Sequence, residues 1–325
     1  MKRALITGIT GQDGYYLTEH LLNNDYMVCG LVRRHSNHEG ELGNAEWFRN
    51  HLGFSYQYGD LTDVSSLETA ISRFQPHEVY NLGAQSHVGV SFSNPQLTMQ
   101  INAVGTLNIL EVLRRIAPYT RFYQASTSEM FGNQIDGDGF QRETTPMIPV
   151  SPYGISKLVG HNLCHQYRNS YGMFCCSGIL FNHESPFRGG NFVTQKVVRG
   201  AVAIKNGLKQ TLKLGNLKSI RDWGHAKDYV KAMHLMLQHD KPDDYVVATG
   251  EANTIEYLVM SVFGQLDLRW DAHVEIADSL KRPEDVEFLR GDATKIVSTL
   301  GWKREYDFDR LLEDMINAET KTLWP

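Results

Sequence analysis

A tyrosine and a lysine four residues apart are the first groups in this chain able to do chemistry together. Tyr153 and Lys157 stand in Ser-Pro-Tyr-Gly-Ile-Ser-Lys. Pro152 suits the first turn of a helix, so the two side chains lie one turn apart on one face. A free phenol has a pKa of about 10, and serving as a base near pH 7 means favouring its phenolate by about 4 kcal/mol. A neighbouring ammonium acts in that direction. The spacing alone occurs by chance in many helices, so it gains weight only beside other signals. A second group, Thr127-Ser128-Glu129, sets two hydroxyls next to a carboxyl. It reads either as acid–base equipment or as a capping box that satisfies backbone donors at a helix start.

Both groups need a partner molecule, and the beginning of the chain suggests one. Gly8, Gly11 and Gly14 form Gly-Ile-Thr-Gly-Gln-Asp-Gly between an apolar run, Arg3–Thr7, and a helical pattern carrying Tyr16, Leu17 and Leu21. A pyrophosphate-binding turn needs a tight bend, close approach of backbone to phosphate, and a helix packed on a strand with its N-terminus toward the anion. Gly8, Thr10, Gly11, Gln12, Asp13 and Gly14 are the residues of that turn. After the next apolar run, Met27–Val32, the chain continues Arg33-Arg34-His35-Ser36, where a cofactor lacking a 2′-phosphate calls for an acidic residue. Arg33, Arg34 and Ser36 instead suit the 2′-phosphate of NADP; a solvated basic turn is the plainer alternative. Asp60 and Leu61, after a third run, fall near the adenine, although an ordinary turn aspartate fits nearly as well. With NADP bound, Lys157 can hydrogen-bond the nicotinamide ribose, and the positive ring favours the Tyr153 phenolate.

The elements that must position these residues alternate as βαβ units. Strands are predicted at Arg3–Thr7, Met27–Val32, Ser55–Tyr58, Glu78–Asn81, Arg121–Ala125 and Phe174–Leu180, mostly with helical patterns between them. Beyond Phe181 the alternation breaks down. A loop is expected through His183–Gly190, a helix near Phe192–Lys205, a helix opened by Arg221–Gly224 and running to about Gln238, a returning strand at Tyr245–Thr249, and amphipathic helices at Ile255–Phe263 and Phe308–Ala318. The fold class is α/β: a Rossmann-type doubly wound parallel sheet over 1–180, joined by the later strand, with a smaller, mainly substrate-binding C-terminal lobe over 181–325. Lys plus Arg number 32 against 37 Asp plus Glu, so the formal charge of −5 offers no general field for nucleic acid, and an anionic ligand needs a local basic pocket. No apolar run is long enough to span a membrane, and with Met1 to Gly8 leading directly into the strand and glycine turn no signal peptide is expected. Cys29, Cys164, Cys175 and Cys176 lack metal-type spacing and read as buried free thiols, consistent with a cytoplasmic protein.

Taken together, the glycine turn and Tyr153-x-x-x-Lys157 resemble the extended short-chain dehydrogenase/reductase family over nearly the whole chain. Asn81-Leu82-Gly83-Ala84-Gln85-Ser86-His87 is similar to the family's loop beside the cofactor, and Asn102 falls at its helical asparagine position. Family dehydratases carry a hydroxyl residue followed closely by an acid, as in Thr127, Ser128 and Glu129, because expelling water across C5 and C6 of a sugar needs a base for the C5 proton and acid help for the hydroxyl. Phe181-Asn182-His183-Glu184-Ser185-Pro186, Asn191-Phe192-Val193-Thr194, Gly215-Asn216-Leu217 and Arg221-Asp222-Trp223-Gly224-His225-Ala226 more closely resemble the GDP-mannose 4,6-dehydratase branch. The resemblance implies that His183 and Arg188 contact the cofactor, and that Ser86, Asn182, Val193, Lys196, Arg221, Arg282 and Glu284 line a GDP-sugar site. It also implies a homodimer or homotetramer, in which the Arg33-Arg34 loop reaches a neighbouring subunit, and no catalytic metal.

Val150, Gln195 and Leu97 depart from the branch pattern, at positions commonly held by an arginine, a basic residue and a cofactor-contacting tyrosine. These departures leave room for a related sugar, such as a GDP-linked heptose. A 4-epimerase or 4-reductase would need Tyr153 and Lys157 but not Glu129. An NADP-sensing scaffold would need no chemistry at all.

Overall fold

The computed structural model describes residues 1–34, 41–280 and 283–323. Seven strands make one parallel sheet: β1 (Arg3–Thr7), β2 (Met27–Val32), β3 (Phe54–Tyr58), β4 (Glu78–Asn81), β5 (Arg121–Thr127), β6 (Cys175–Leu180) and β7 (Asp244–Val247), in the order β7-β6-β5-β4-β1-β2-β3. The central strands are buried nearly throughout because helices cover both faces. On one face, α1 (Gln12–Leu22) buries Leu17 and Leu21 with Met233 and Met236 of a later helix. On the other, α2 (Val64–Phe74), α3 (Gly105–Ile116) and α4 (Pro152–Tyr171) enclose Ile71, Leu110, Leu113 and Cys164. Helices α5 (Val193–Lys205), α6 (Ala226–Gln238), α7 (Ile255–Gln265) and α8 (Phe308–Leu323) follow; α6 packs on the sheet beside α1, while α5, α7 and α8 build a separate core around Val198, Leu258, Phe263 and Leu312.

Sequence and structure agree residue for residue at β1, β2 and β4, and the doubly wound sheet is the predicted class. Three local expectations are corrected. Strand β5 runs two residues farther than predicted, to Thr127, because Ser126 and Thr127 pair with Ile179 and Leu180 of β6. The segment after Phe181 begins as a short strand, Asn182–Glu184, paired in parallel with Trp223–His225. No helix opens at Arg221. That stretch is extended, and α6 starts only at Ala226. The physical reason is Asp222, whose fully buried carboxylate accepts hydrogen bonds from the N–H groups of Thr249, Gly250 and Gly291 and from the Thr249 hydroxyl. Its bonds tie three distant segments together and hold the local backbone straight. Burial nevertheless pushes this carboxyl up to about 6.

The chain reverses its winding between β1 and β4, and the loops at their carboxyl ends meet there, as ligand crevices of open α/β sheets do. Gly8 has φ +71, and a Cβ on it would lie 2.7 Å from the Gly83 nitrogen. Only glycine lets the two loops touch. Below them the Thr7 hydroxyl donates to Asn81 Oδ1 (2.7 Å), Asn81 Nδ2 donates to Gln124 Oε1 (2.8 Å), and the Gly83 N–H donates back to Thr7 Oγ1 (3.0 Å). Gly14, on α1, faces Ile9 so closely that a Cβ would sit 2.4 Å from the Ile9 carbonyl oxygen. Helix propensity favours alanine by about 1 kcal/mol, whereas overpacking against backbone costs about 1–3 kcal/mol or more. Gly14→Ala therefore lowers the urea midpoint of unfolding; a raised midpoint would show that the contact carries no weight.

Candidate functional site

The carboxyl ends of β1, β4, β5 and β6 open into one cleft, a cavity of about 470 Å³. Its walls include Gly8, Gly11, Gln12, Asp13 and Gly14 from the first turn, Leu82, Ala84 and Ser86 from the loop after β4, and Thr127, Ser128, Glu129, Tyr153 and Lys157. Asn182, His183, Arg188, Val193, Lys196 and Arg221 line it from the other side. Glycines that shape a backbone cradle at the start of a helix fit a dinucleotide pyrophosphate, because a side chain at Gly8 or Gly14 would collide with neighbouring backbone.

Helix α4 carries Tyr153 and Lys157. Ser151 caps it by accepting the Gly154 N–H at 3.0 Å, Pro152 fills its first turn, and Gly172 ends it in the left-handed region at φ +65. The Tyr153 N–H donates to Ser91 Oγ (3.1 Å), and Lys157 Nζ donates to the Ala125 carbonyl (2.9 Å), so the short helix Val88–Ser93 and strand β5 hold the pair in place. Asn102 makes the other brace. It sits in a π-helical turn, Gln100–Val104, accepts the Gln85 N–H at 2.8 Å, and donates from Nδ2 to the Gln85 carbonyl and to Ser156 Oγ, each at 3.0 Å. The wider turn lets one side chain clamp both the cofactor-side loop and α4.

Burial dominates the electrostatics of the pair. It pushes the Tyr153 phenol up to about 12; the Thr127 hydroxyl bonded to it and the Arg188 charge act against this, and the Glu129 and Asp13 carboxylates add to it. Burial also holds Lys157 down at about 8, opposed by Asp13. In the protein alone the phenol thus lies above its ordinary value, because both groups lose solvation and the Glu129 carboxylate raises the phenol further. Glu129 follows in a 3₁₀ turn, Ser128–Met130, whose cap is the Thr127 hydroxyl accepting the Glu129 N–H at 3.3 Å. Thr127 supplies that cap, and Glu129 lines the cavity wall with Tyr153.

A charged network underlies the glycine turn. His183 Nε2 lies 2.9 Å from Asp13 Oδ2, its Nδ1 lies 2.8 Å from the Phe181 carbonyl, and its ring stacks on Tyr229 at 4.5 Å. Burial alone would raise Asp13, but the charge and hydrogen bond of His183 outweigh it and hold that carboxyl below its ordinary value. Burial alone would lower His183, and Asp13 reverses that too. Gln12 Nε2 donates to the His183 carbonyl (3.1 Å), and Ser185 Oγ donates to Gln12 Oε1 (2.7 Å).

Several residues expected at the site lie off the cavity wall. Arg33 and Arg34 are exposed at the end of β2, with the Arg34 guanidinium 5.5 Å from the Tyr58 ring. Asp60 accepts the N–H and hydroxyl of Thr62, Leu61 is buried against Gly105, and Thr10 is exposed. Gly83 and Gln85 stand behind the wall, engaged by Thr7 and Asn102. Glu284 is exposed outside the cavity, while its neighbour Asp285 lines it and pairs with Arg221 at 3.3 Å. Ser36 and Arg282 lie outside the described residues. Sequence reasoning gave no wall role to Glu184, Asn191, Phe192, Asn216 or Asp285; all but Asp285 stand in the segments that carried the resemblance, which was the usable signal.

The fold and cleft define a dinucleotide-binding α/β protein of the extended short-chain dehydrogenase/reductase type. A dTDP-glucose 4,6-dehydratase from Streptomyces venezuelae, solved with NAD and TYD bound, superimposes with a TM-score of 0.87 at 23% identity, covering 99% of this chain and 98% of that one. The family model for GDP-mannose 4,6 dehydratase matches residues 5–315. GDP-mannose 4,6 dehydratase 2 of Arabidopsis thaliana is 49% identical over 98% of this chain and 87% of its own. The GDP-mannose 4,6-dehydratase of Yersinia enterocolitica is 43% identical over 98% and 94%. The chain belongs to the GDP-mannose 4,6-dehydratase family.

The Asp13–His183 pair has a defined pH window. His183 is raised from 6.5, so its contribution is full below that value and lost as pH climbs through the folded value; Asp13 is lowered from 3.8, so its contribution is present above that value and lost on acidification. His183→Phe keeps a ring against Tyr229 but removes the counter-charge. It is expected to lose more stability, relative to the parent, at pH 5 than at pH 9 in urea unfolding. Equal losses at both would rule out the ion pair as their source.

Proposed function

We propose that this protein is an NADP-dependent GDP-mannose 4,6-dehydratase, a lyase that converts GDP-mannose to GDP-4-keto-6-deoxy-mannose and water. The observation that carries the proposal is the meeting of Tyr153, Lys157, Thr127 and Glu129 on one cavity wall beside the glycine turn. Family membership supports the substrate. NADP is favoured over NAD by Arg33 and Arg34 at the end of β2, two guanidinium groups suited to a 2′-phosphate. Gly8, Gly11, Gln12, Asp13 and Gly14 would hold its pyrophosphate, and Lys157 its nicotinamide ribose. Lys196 and Arg221 supply positive charge for the GDP diphosphate, with Asn182 and Val193 beside them.

A nicotinamide held beside Tyr153 and Lys157 would supply the hydride chemistry, as acceptor from C4 of the sugar and donor to C6. Tyr153 takes the C4 hydroxyl proton, helped by the Lys157 ammonium and by a cationic ring, both of which lower the cost of the buried phenolate. The resulting 4-ketone acidifies C5. Glu129 removes the C5 proton, and the C6 hydroxyl leaves as water with that proton delivered by Glu129, assisted by the Thr127 and Ser128 hydroxyls. C5 finally regains a proton equivalent to the one Tyr153 took, so every residue ends in its starting state.

A homodimer or homotetramer is proposed as well. Leu107 on α3, and Ile155 and Val159 on α4, are exposed apolar residues on neighbouring helices, a surface suited to a second copy. Buried Cys29, Cys164, Cys175 and Cys176, all unpaired, suit the reducing cytoplasm, and among the described residues no helix is long and apolar enough to cross a membrane.

Glu129→Gln is expected to slow loss of water from GDP-mannose, followed by mass spectrometry, by about 10²–10⁴-fold while C4 oxidation persists. Near-normal 6-deoxy product would remove Glu129 from the chemistry. Unchanged substrate mass with an altered sugar would indicate an epimerase, and a gain of two hydrogens with NADPH consumed a reductase. Tyr153→Phe is expected to abolish the first step as well; full turnover would exclude Tyr153 as the base.

A further inference from the structure

The sequence of contacts Glu184, Arg188, Phe192 runs along the rim between the glycine turn and the first turn of α5. Glu184 is 2% exposed, and its carboxylate Oε2 lies 3.1 Å from Arg188 Nε. Burying a carboxylate is costly unless a cation compensates it. Here burial wins in part and pushes Glu184 above the ordinary carboxylate range, against the pull of Arg188 and His183. The Arg188 guanidinium centre then lies 3.6 Å from the Phe192 ring centroid. A planar cation stacked on an aromatic face has little orientational freedom left. Phe192 caps α5, whose first turn carries Val193 and Lys196, and its ring also meets His87, on the loop after β4, at 5.7 Å. All of these residues line the one cleft.

We infer that Glu184 is a positioning residue: by fixing Arg188 against Phe192, it sets the first turn of α5 relative to the glycine turn, so that dinucleotide and nucleotide-sugar binding reinforce each other. The inference rests on the proposed reading of the cleft as a site for NADP and a GDP-sugar. Arg188 provides the link. Its Nε faces the Glu184 carboxylate at 3.1 Å as an ion pair outside hydrogen-bond geometry, and its guanidinium lines the cleft, where it can meet an anion. An anion engaging the fork stiffens a guanidinium already stacked on Phe192, and the helix start it steadies is the one presenting Lys196 to the second ligand. The coupling must be reciprocal, because it is a property of binding free energies.

A merely structural carboxylate would, when replaced, lower the melting temperature and weaken both ligands without altering how one affects the other. The ratio of affinities therefore separates the two roles. In calorimetric titrations of the full chain, the Kd of GDP is measured without and with saturating NADPH. For the parent protein the expected ratio is about fivefold or more, in the usual range of coupling between sites. Glu184→Gln and Phe192→Leu are each expected to bring it within about twofold of one, and the double variant should do no more than either single change. Glu184→Asp, which keeps the charge, should recover part of the ratio.

Parent-like coupling in Glu184→Gln, or a parent protein that binds both ligands independently, would overturn the inference while leaving the functional proposal intact. A parent protein that binds neither NADPH nor GDP would instead overturn the functional proposal. Should Glu184→Gln fail to fold, the milder Phe192→Leu decides alone, with preserved coupling counting against the inference.

Discussion

Desolvation of one tyrosine and one lysine is the constraint around which the rest of the cleft is arranged. With the phenol pushed up to about 12 and the ammonium held down at about 8, the free protein stores Tyr153 as a neutral acid. A solvent-exposed phenol would be easier to ionise but would also exchange its proton with water at every stage. Burial raises the cost of the charge and at the same time strengthens any cation brought beside it, because opposite charges attract more strongly where water is excluded. The proposed base therefore depends on its ligand for its basicity.

Such an arrangement works only if the ligand arrives in a fixed place, and the fold supplies that through close contacts rather than through long side chains. Gly8 lets the first turn touch the loop after β4, the hydrogen-bonded ladder of Thr7, Asn81 and Gln124 sets the heights of β1, β4 and β5, and Asn102 ties the cofactor-side loop to α4. Asp13 shows the same economy of charge. Its carboxylate stands where a pyrophosphate is proposed to sit, and His183 compensates it from a strand 170 residues away in sequence. Asp222 performs the corresponding task for the later half, closing β7 and the loop at Gly291 around one buried carboxylate.

How much of this was legible in the chain depends on the range of the interaction. Strands β1, β2 and β4 could be bounded to the residue, since each is a short run between helical patterns and polar or glycine-rich chain. Tyr153 and Lys157 were legible because a helical turn is local. The strand Asn182–Glu184 was not, because three residues carry no periodicity and its partner, Trp223–His225, lies about 40 residues on. Asp222 hid for a like reason: in a stretch read as the opening of a helix nothing marks a carboxylate whose donors come from residues 249, 250 and 291. How burial acts on Tyr153 in the free protein was not legible, because residue types announce charges but not burial. Asp285 took the cavity position expected for Glu284, a difference of one residue that only the path of the backbone decides.

Difference absorbance of tyrosinate near 295 nm, parent minus Tyr153→Phe, isolates the proton on this one phenol as pH is raised, with NADP⁺ absent and then saturating. A buried, ligand-dependent base requires no Tyr153 phenolate at neutral pH in the free protein, in keeping with a value of about 12, and its appearance at distinctly lower pH once NADP⁺ is bound. Superimposable curves in the two conditions, or a phenolate already present near pH 7 without ligand, would contradict it.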